Sequence, residues 1–170
     1  NEVPPDVAAL EGLSDLMARF YREAEIAALW QKAQPALEAA IARYQLPVVQ
    51  AVNQVSGYLR TPPGGDLGWR FQVYVDLLGA PNQIHTRSYG REYFVVVTPS
   101  PEPQAMDVRH AYLHFLIDPL VTRRSEEILK KKALGDYALG SPLLEEPYRS
   151  DFLLLVNECV IKAVESRLQP

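Results

Sequence analysis

"MDVRHAYLHFLIDP", Met106 to Pro119, is the stretch on which the fold turns. From Asp107 to about Ile117, Tyr112, Leu113, Phe115, Leu116 and Ile117 leave scarcely a polar face, so the pattern predicts a largely buried helix. Asp107 is its expected cap and Asp118-Pro119 its expected stop. Two of the chain's three histidines, His110 and His114, sit one turn apart on it. A buried polar group without a partner costs about 1–3 kcal/mol. Each imidazole therefore needs its own hydrogen bond, or the two share a metal ion. Residues four apart on a helix have Cβ atoms roughly 5–6 Å apart, close enough for two ring nitrogens to converge on a zinc at about 2.0–2.1 Å. The spacing leaves both readings open.

Upstream of this helix the pattern is that of strands. "WRFQVYVDL" alternates Trp69, Phe71, Val73, Val75 and Leu77 with polar residues and Tyr74, the period of a half-buried strand. "QIHTRS" and "REYFVVV" follow across "GAPN" and "YG", and the three predict an antiparallel meander with its Val-rich third strand nearest the core. His85, in the middle strand, reads as an exposed strand histidine. Further upstream, "TPPGGDLG" from Thr61 to Gly68 breaks both helix and strand, and alanine and leucine recur at helical spacing over 7–24 and 26–58. Pro35 and Pro47 each mark a break or a fresh first turn in the second of these segments. Downstream, helices are expected over 125–137 and 151–168, with Ser125 and Ser150 or Asp151 as caps. Helices, a meander and then helices make an α+β fold. It divides into an N-terminal helical segment over 1–60 and an α+β region over 61–170, or runs as one domain over 1–170.

The totals exclude more than they assign. With 48% hydrophobic residues in 170, the chain can bury a core of its own. A net charge of -4, with signs interspersed even in "TRRSEEILKKK", gives no case for nucleic-acid binding. No run reaches the roughly 18 apolar residues of a membrane span. Cys159 has no disulfide partner and its apolar neighbours favour an inert buried thiol. The chain opens at Asn1, which fits a trimmed signal peptide of a secreted or periplasmic protein and a shortened chain equally, so the compartment stays open.

A third candidate ligand lies in "DFLLLVNECVIKAVESRL". Glu158 has the apolar residues Leu154, Leu155 and Ile161 as helical neighbours, and a carboxylate is expensive to bury unless it is paired or binds a metal. The alternative is a buried ion pair, to Arg109 or another arginine. Glu165, seven residues on, reads as solvated; it and Asp118 are the next candidates.

A meander leading by a short loop into a buried H-x-x-x-H helix, followed some forty residues later by a helix with "NE" inside an apolar run, resembles the gluzincin metallopeptidases. The resemblance spans Trp69 to Leu168 and leaves out the N-terminal helices. It implies a zincin-like α+β region in which His110, His114 and Glu158 bind zinc. It also implies a defect. In the family's HExxH motif the glutamate after the first histidine is the general base that activates the attacking water, and here that position is Ala111. The expectation is a zinc-binding, metallopeptidase-like domain without a catalytic residue, a pseudoenzyme. Its rival is a non-catalytic module that holds a peptide or protein in a cleft beside the sheet edge and needs no metal.

Overall fold

The computed structural model describes residues 10, 12–63 and 68–168. The start of the first expected helix and the middle of the Thr61–Gly68 break lie outside them. Two helices come first, α1 (Leu13–Glu23) and α2 (Ile26–Leu59). The strands β1 (Arg70–Val75), β2 (Ile84–Tyr89) and β3 (Glu92–Val97) follow, and then α3 (Ala105–Arg123), which carries both histidines. The chain continues through α4 (Ser125–Leu129), a 3-10 turn (Lys132–Gly135), α5 (Asp136–Leu139), α6 (Glu146–Ser150) and α7 (Phe152–Leu168). Helices beside one small sheet make this an α+β fold. No helix among the described residues is long and apolar enough to cross a membrane.

The sheet is not a meander. Its order is β1-β3-β2, with β3 parallel to β1 and antiparallel to β2. The reason lies in the strands and in one linker. "EYFVVV" buries Tyr93, Val95 and Val97 and takes the centre, where both its edges are hydrogen-bonded, while the polar "IHTRSY" is almost wholly exposed and takes an edge. Residues 76–83 are long enough to step past the end of β3. There the Asp76 amide donates to the Val97 carbonyl (2.9 Å) and the Asn82 amide to the Pro99 carbonyl (2.9 Å). The linker passes so close that a Cβ at Gly79 would lie 2.7 Å from Thr98 Cγ2, which is why glycine stands at the crossing. His85 is exposed on β2, as its pattern implied.

The helix boundaries also differ from expectation at the prolines. α2 runs unbroken through Pro35 and Pro47. α3 runs through Pro119 to Arg123, although an interior proline costs a helix about 3 kcal/mol. Beyond it, Val121 still packs against the core. The helix expected over 125–137 is instead broken into α4, the 3-10 turn and α5. Asp107 and Ser125 lie inside their helices and provide no side-chain cap, whereas Asp151 Oδ1 accepts from the amides of Leu153 (2.9 Å) and Leu154 (3.1 Å) and caps α7. Cys159 is exposed, on the side of α7 that also carries Lys162 and Ser166.

The core wraps α3, which buries Val108, Arg109, Ala111, Tyr112, Leu113, Phe115 and Ile117. Tyr44 and Val55 of α2, the inner face of β3, and Ile161, Val164 and Leu168 of α7 close on it. The C-terminal half of α2 thus belongs to this core, while α1 buries nothing. Phe115 sits at the crossing, its ring within 6.1 Å of Trp69, 5.5 Å of Phe71, 6.0 Å of Tyr93 and 5.7 Å of Tyr112, centroid to centroid. Truncating it removes a packed ring and leaves a cavity, so Phe115→Ala should cost about 3–5 kcal/mol in urea unfolding. Leu78→Ala, at a side chain 97% exposed, should stay within about 0.5 kcal/mol. Equal effects of the two would contradict this account of the core.

Candidate metal centre

On one side of α3 the wrapping is incomplete, and His110 and His114 stand there facing α7. Helical spacing puts their side chains on one line, and both imidazole Nε2 atoms turn toward the same point, 3.2 Å apart. Glu158 reaches that point from α7, with Oε2 at 3.8 Å from His110 Nε2 and 3.6 Å from His114 Nε2. Oε2 is buried and has no hydrogen-bond partner.

The orientation of the rings is set from outside. His110 Nδ1 donates to Glu165 Oε1 (2.9 Å), and His114 Nδ1 donates to Asp118 Oδ1 (2.9 Å). Asp118 is itself held by Asn157, whose Nδ2 donates to the same Oδ1 at 2.6 Å. A ring that carries its proton on Nδ1 presents a bare lone pair at Nε2. Two such lone pairs and one carboxylate oxygen then face one another, which is repulsive unless a metal ion stands between them or one Nε2 takes up a proton and donates across the 3.2 Å to the other.

The dimensions suit a metal. A tetrahedral zinc with donors at about 2.0–2.1 Å holds them about 3.3–3.4 Å apart. The three separations here are 3.2, 3.6 and 3.8 Å, close to that spacing. The cluster of His110, His114 and Glu158 could hold a metal ion. Charge points the same way. Three carboxylates (Asp118, Glu158, Glu165) and one ammonium (Lys162) leave the surroundings of the neutral imidazoles at -2, the charge a divalent cation cancels. Burial works against a charged His114, but the Asp118 hydrogen bond and the carboxylates of Asp118, Glu158 and Glu165 outweigh it and raise its pKa. Burial likewise opposes ionisation of Glu165, yet its bonds to Lys162 and His110 win and lower its pKa.

The structure thus brings together the three residues singled out in the sequence. The ion pair to Arg109 does not form, since Arg109 is turned toward α2, where Nη1 meets Gln54 Oε1 at 3.4 Å; Glu158 Oε1 has Lys162 Nζ at 3.6 Å as its ion-pair partner instead. Glu165 is not solvated as expected, since only 14% of its side chain is exposed and it grips His110. Asp118 is not merely a helix terminus. Because α3 passes through Pro119, Asp118 lies one helical turn beyond His114 and reaches its Nδ1. The i+4 spacing of His114 and Asp118 and the i+7 spacing of Glu158 and Glu165 were the available signals. Asn157 stood out only as the first letter of "NE", with no role attached, and Lys162 gave no signal. Ala111 is buried on α3 among the core residues, and no carboxylate replaces it on that helix turn.

Beside His114 and Asp118 a cleft of about 440 Å³ opens toward the ends of β2 and β3, lined by Trp69, Ser88, Tyr93 and Arg123. The histidine side chains are 29% and 21% exposed, so the cluster is accessible from one side. Compared with known proteins, the chain matches no family model, no curated protein and no solved structure.

The carboxylates of Glu165 and Asp118 favour the Nδ1–H tautomer of each neutral ring. Imidazole 15N spectra of the metal-free protein at alkaline pH should place the proton of both rings on Nδ1 and leave both Nε2 atoms bare. A proton on Nε2 of both rings would mean that the Asp118 and Glu165 contacts do not orient them.

Proposed function

We propose that this chain is a zinc-binding, gluzincin-like domain in which His110 Nε2, His114 Nε2 and Glu158 Oε2 hold the ion and the peptidase chemistry has been lost. The observation that carries the reading is the inward convergence of these three atoms, with both outward Nδ1 atoms tied to carboxylates. Carboxylate–histidine–metal chains of this kind orient ligands and raise their basicity. Two imidazoles, one carboxylate and an accessible side suit zinc. When bound, zinc acts as a Lewis acid and leaves a position for water or a ligand.

The chain's own residues limit the chemistry. Hydrolysis of a peptide needs a group that takes a proton from water and returns it to the leaving amine, and such help is worth about 10²–10⁴-fold. Ala111 can do neither. Asp118 and Glu165 are engaged by the histidines. The phenol of Tyr148 has a pKa raised by burial and then by the carboxylates of Glu158 and Glu145, against the opposing charge of Lys162, so it stays protonated. It is an acid without a matching base. What remains is recognition: the metal as an anchor for a carbonyl or carboxylate, and the cleft by the exposed edge of β2 as a seat for an extended peptide. The metal-free peptide-binding module is the second reading, favoured by that same open edge.

Purified protein should carry about one zinc per chain, and His110→Ala should lose it while remaining folded. At a thousand-fold excess over Kd the bound ion adds about 4.1 kcal/mol, so a chelator should lower Tm by about 8–16 °C. Glu158→Gln should weaken zinc binding yet hardly change the metal-free protein. Loss of stability in both forms, with zinc affinity unchanged, would make Glu158 an ion-pair residue instead. A protein free of zinc and indifferent to chelator would leave the second reading.

Activity supplies a separate check. Zinc-loaded protein should not cleave an unstructured protein substrate above background. Robust cleavage abolished by chelator would show that a residue other than position 111 moves the proton.

A further inference from the structure

Lys162 stands on the exposed side of α7, four residues after Glu158 and three before Glu165. Its Nζ lies 2.9 Å from Glu165 Oε2 and 3.6 Å from Glu158 Oε1. Each carboxylate is therefore divided in the same way. Glu165 gives Oε1 to His110 and Oε2 to Lys162; Glu158 turns Oε2 to the two histidines and Oε1 to Lys162. One ammonium thus ties the carboxylate that faces the cluster to the carboxylate that orients a histidine.

A free carboxylate can coordinate a metal through one oxygen or both. One oxygen suits a four-coordinate ion such as zinc, while two raise the coordination number and suit ions that take six or more oxygens. We infer that Lys162 is a positioning residue that holds Glu158 to one-oxygen coordination and so sets the metal preference of the site. The inference rests on the proposed zinc reading and adds to it the source of the selectivity. It asks little of Lys162 as a stabiliser. The side chain is 62% exposed, and exposed ion pairs contribute little to folding, so the consequence falls on ligand geometry.

The test uses the full chain loaded with Zn²⁺, Co²⁺ or Mn²⁺. Lys162→Met removes the charge and keeps the length of the side chain; Lys162→Arg restores the charge. Lys162→Met should narrow the preference for zinc over manganese by about 10-fold, the lower end of what outer partners of metal ligands contribute. The visible bands of the Co²⁺ form, intense for four-coordinate cobalt, should weaken as coordination number rises. Lys162→Arg should restore preference and spectrum, and the urea midpoint of the metal-free protein should be the same in all three. If wild type binds zinc but Lys162→Met has the same preference and cobalt spectrum, the role of Lys162 is overturned and the zinc site stands. If wild type binds no zinc, the zinc reading fails, and this inference falls with it. A loss of preference that Lys162→Arg does not rescue, or that tracks a loss of folding stability, would also overturn positioning by charge.

Discussion

Helix α3 carries apolar side chains around nearly its whole circumference, so it is stable only where other elements close on it from several directions. β3 covers it from the sheet side, the C-terminal half of α2 from another, and α7 from a third. That demand places α7 against α3 with Ile161 and Val164 in the core, and in doing so it brings Glu158 and Glu165 up to His110 and His114. The candidate metal centre is the gap left where two polar side chains interrupt an otherwise apolar helix. Its geometry follows from how the core is closed.

Within that gap, the outer contacts decide more than the inner ones. A neutral imidazole gripped at Nδ1 by a carboxylate cannot turn away, and its Nε2 is left as an acceptor. Asp118 and Glu165 impose this on both rings at once, and Asn157 and Lys162 hold those carboxylates in turn. Turning the rings away would mean breaking several charge-assisted hydrogen bonds, each worth about 1.5–3 kcal/mol, whereas a proton on one Nε2 relieves the metal-free cluster and leaves those bonds in place.

Much of this could be read in the sequence, and the parts that could not share a cause. His110, His114 and Glu158 stood out because each is a polar residue in an apolar run, and periodicity reports such exceptions. The α+β order of elements followed from the change of period at Thr61–Gly68 and again after Val97. Sheet order did not follow: whether β3 pairs with β1 is decided by a linker stepping over a strand end, which no local pattern records. Asp118 was hidden by Pro119, whose local preference for ending a helix is outweighed by the apolar residues packed beyond it. Glu165 and Cys159 were misjudged in opposite senses for one reason. Which side of α7 meets α3 is a tertiary fact, and the helix has apolar residues on more than one side.

The site is built into a fold that does not need it. A structural zinc in a small module supplies the folding free energy outright, because no core forms without the ion. Here α3 and α7 are already joined by Val108, Ile161 and Val164, all buried. Ligand binding therefore requires little ordering of the chain, and the free energy of the contact goes to affinity and selectivity. Such preorganisation also explains how a domain can lack a carboxylate at position 111 and keep the rest. Alanine there packs into the core among Val108 and Phe115, while the histidines, their carboxylate partners and the accessible side of the cluster are held by contacts that position 111 does not make. The residue at position 111 and the arrangement of the histidine–carboxylate cluster are thus physically separable, and the second stands whatever side chain fills the first.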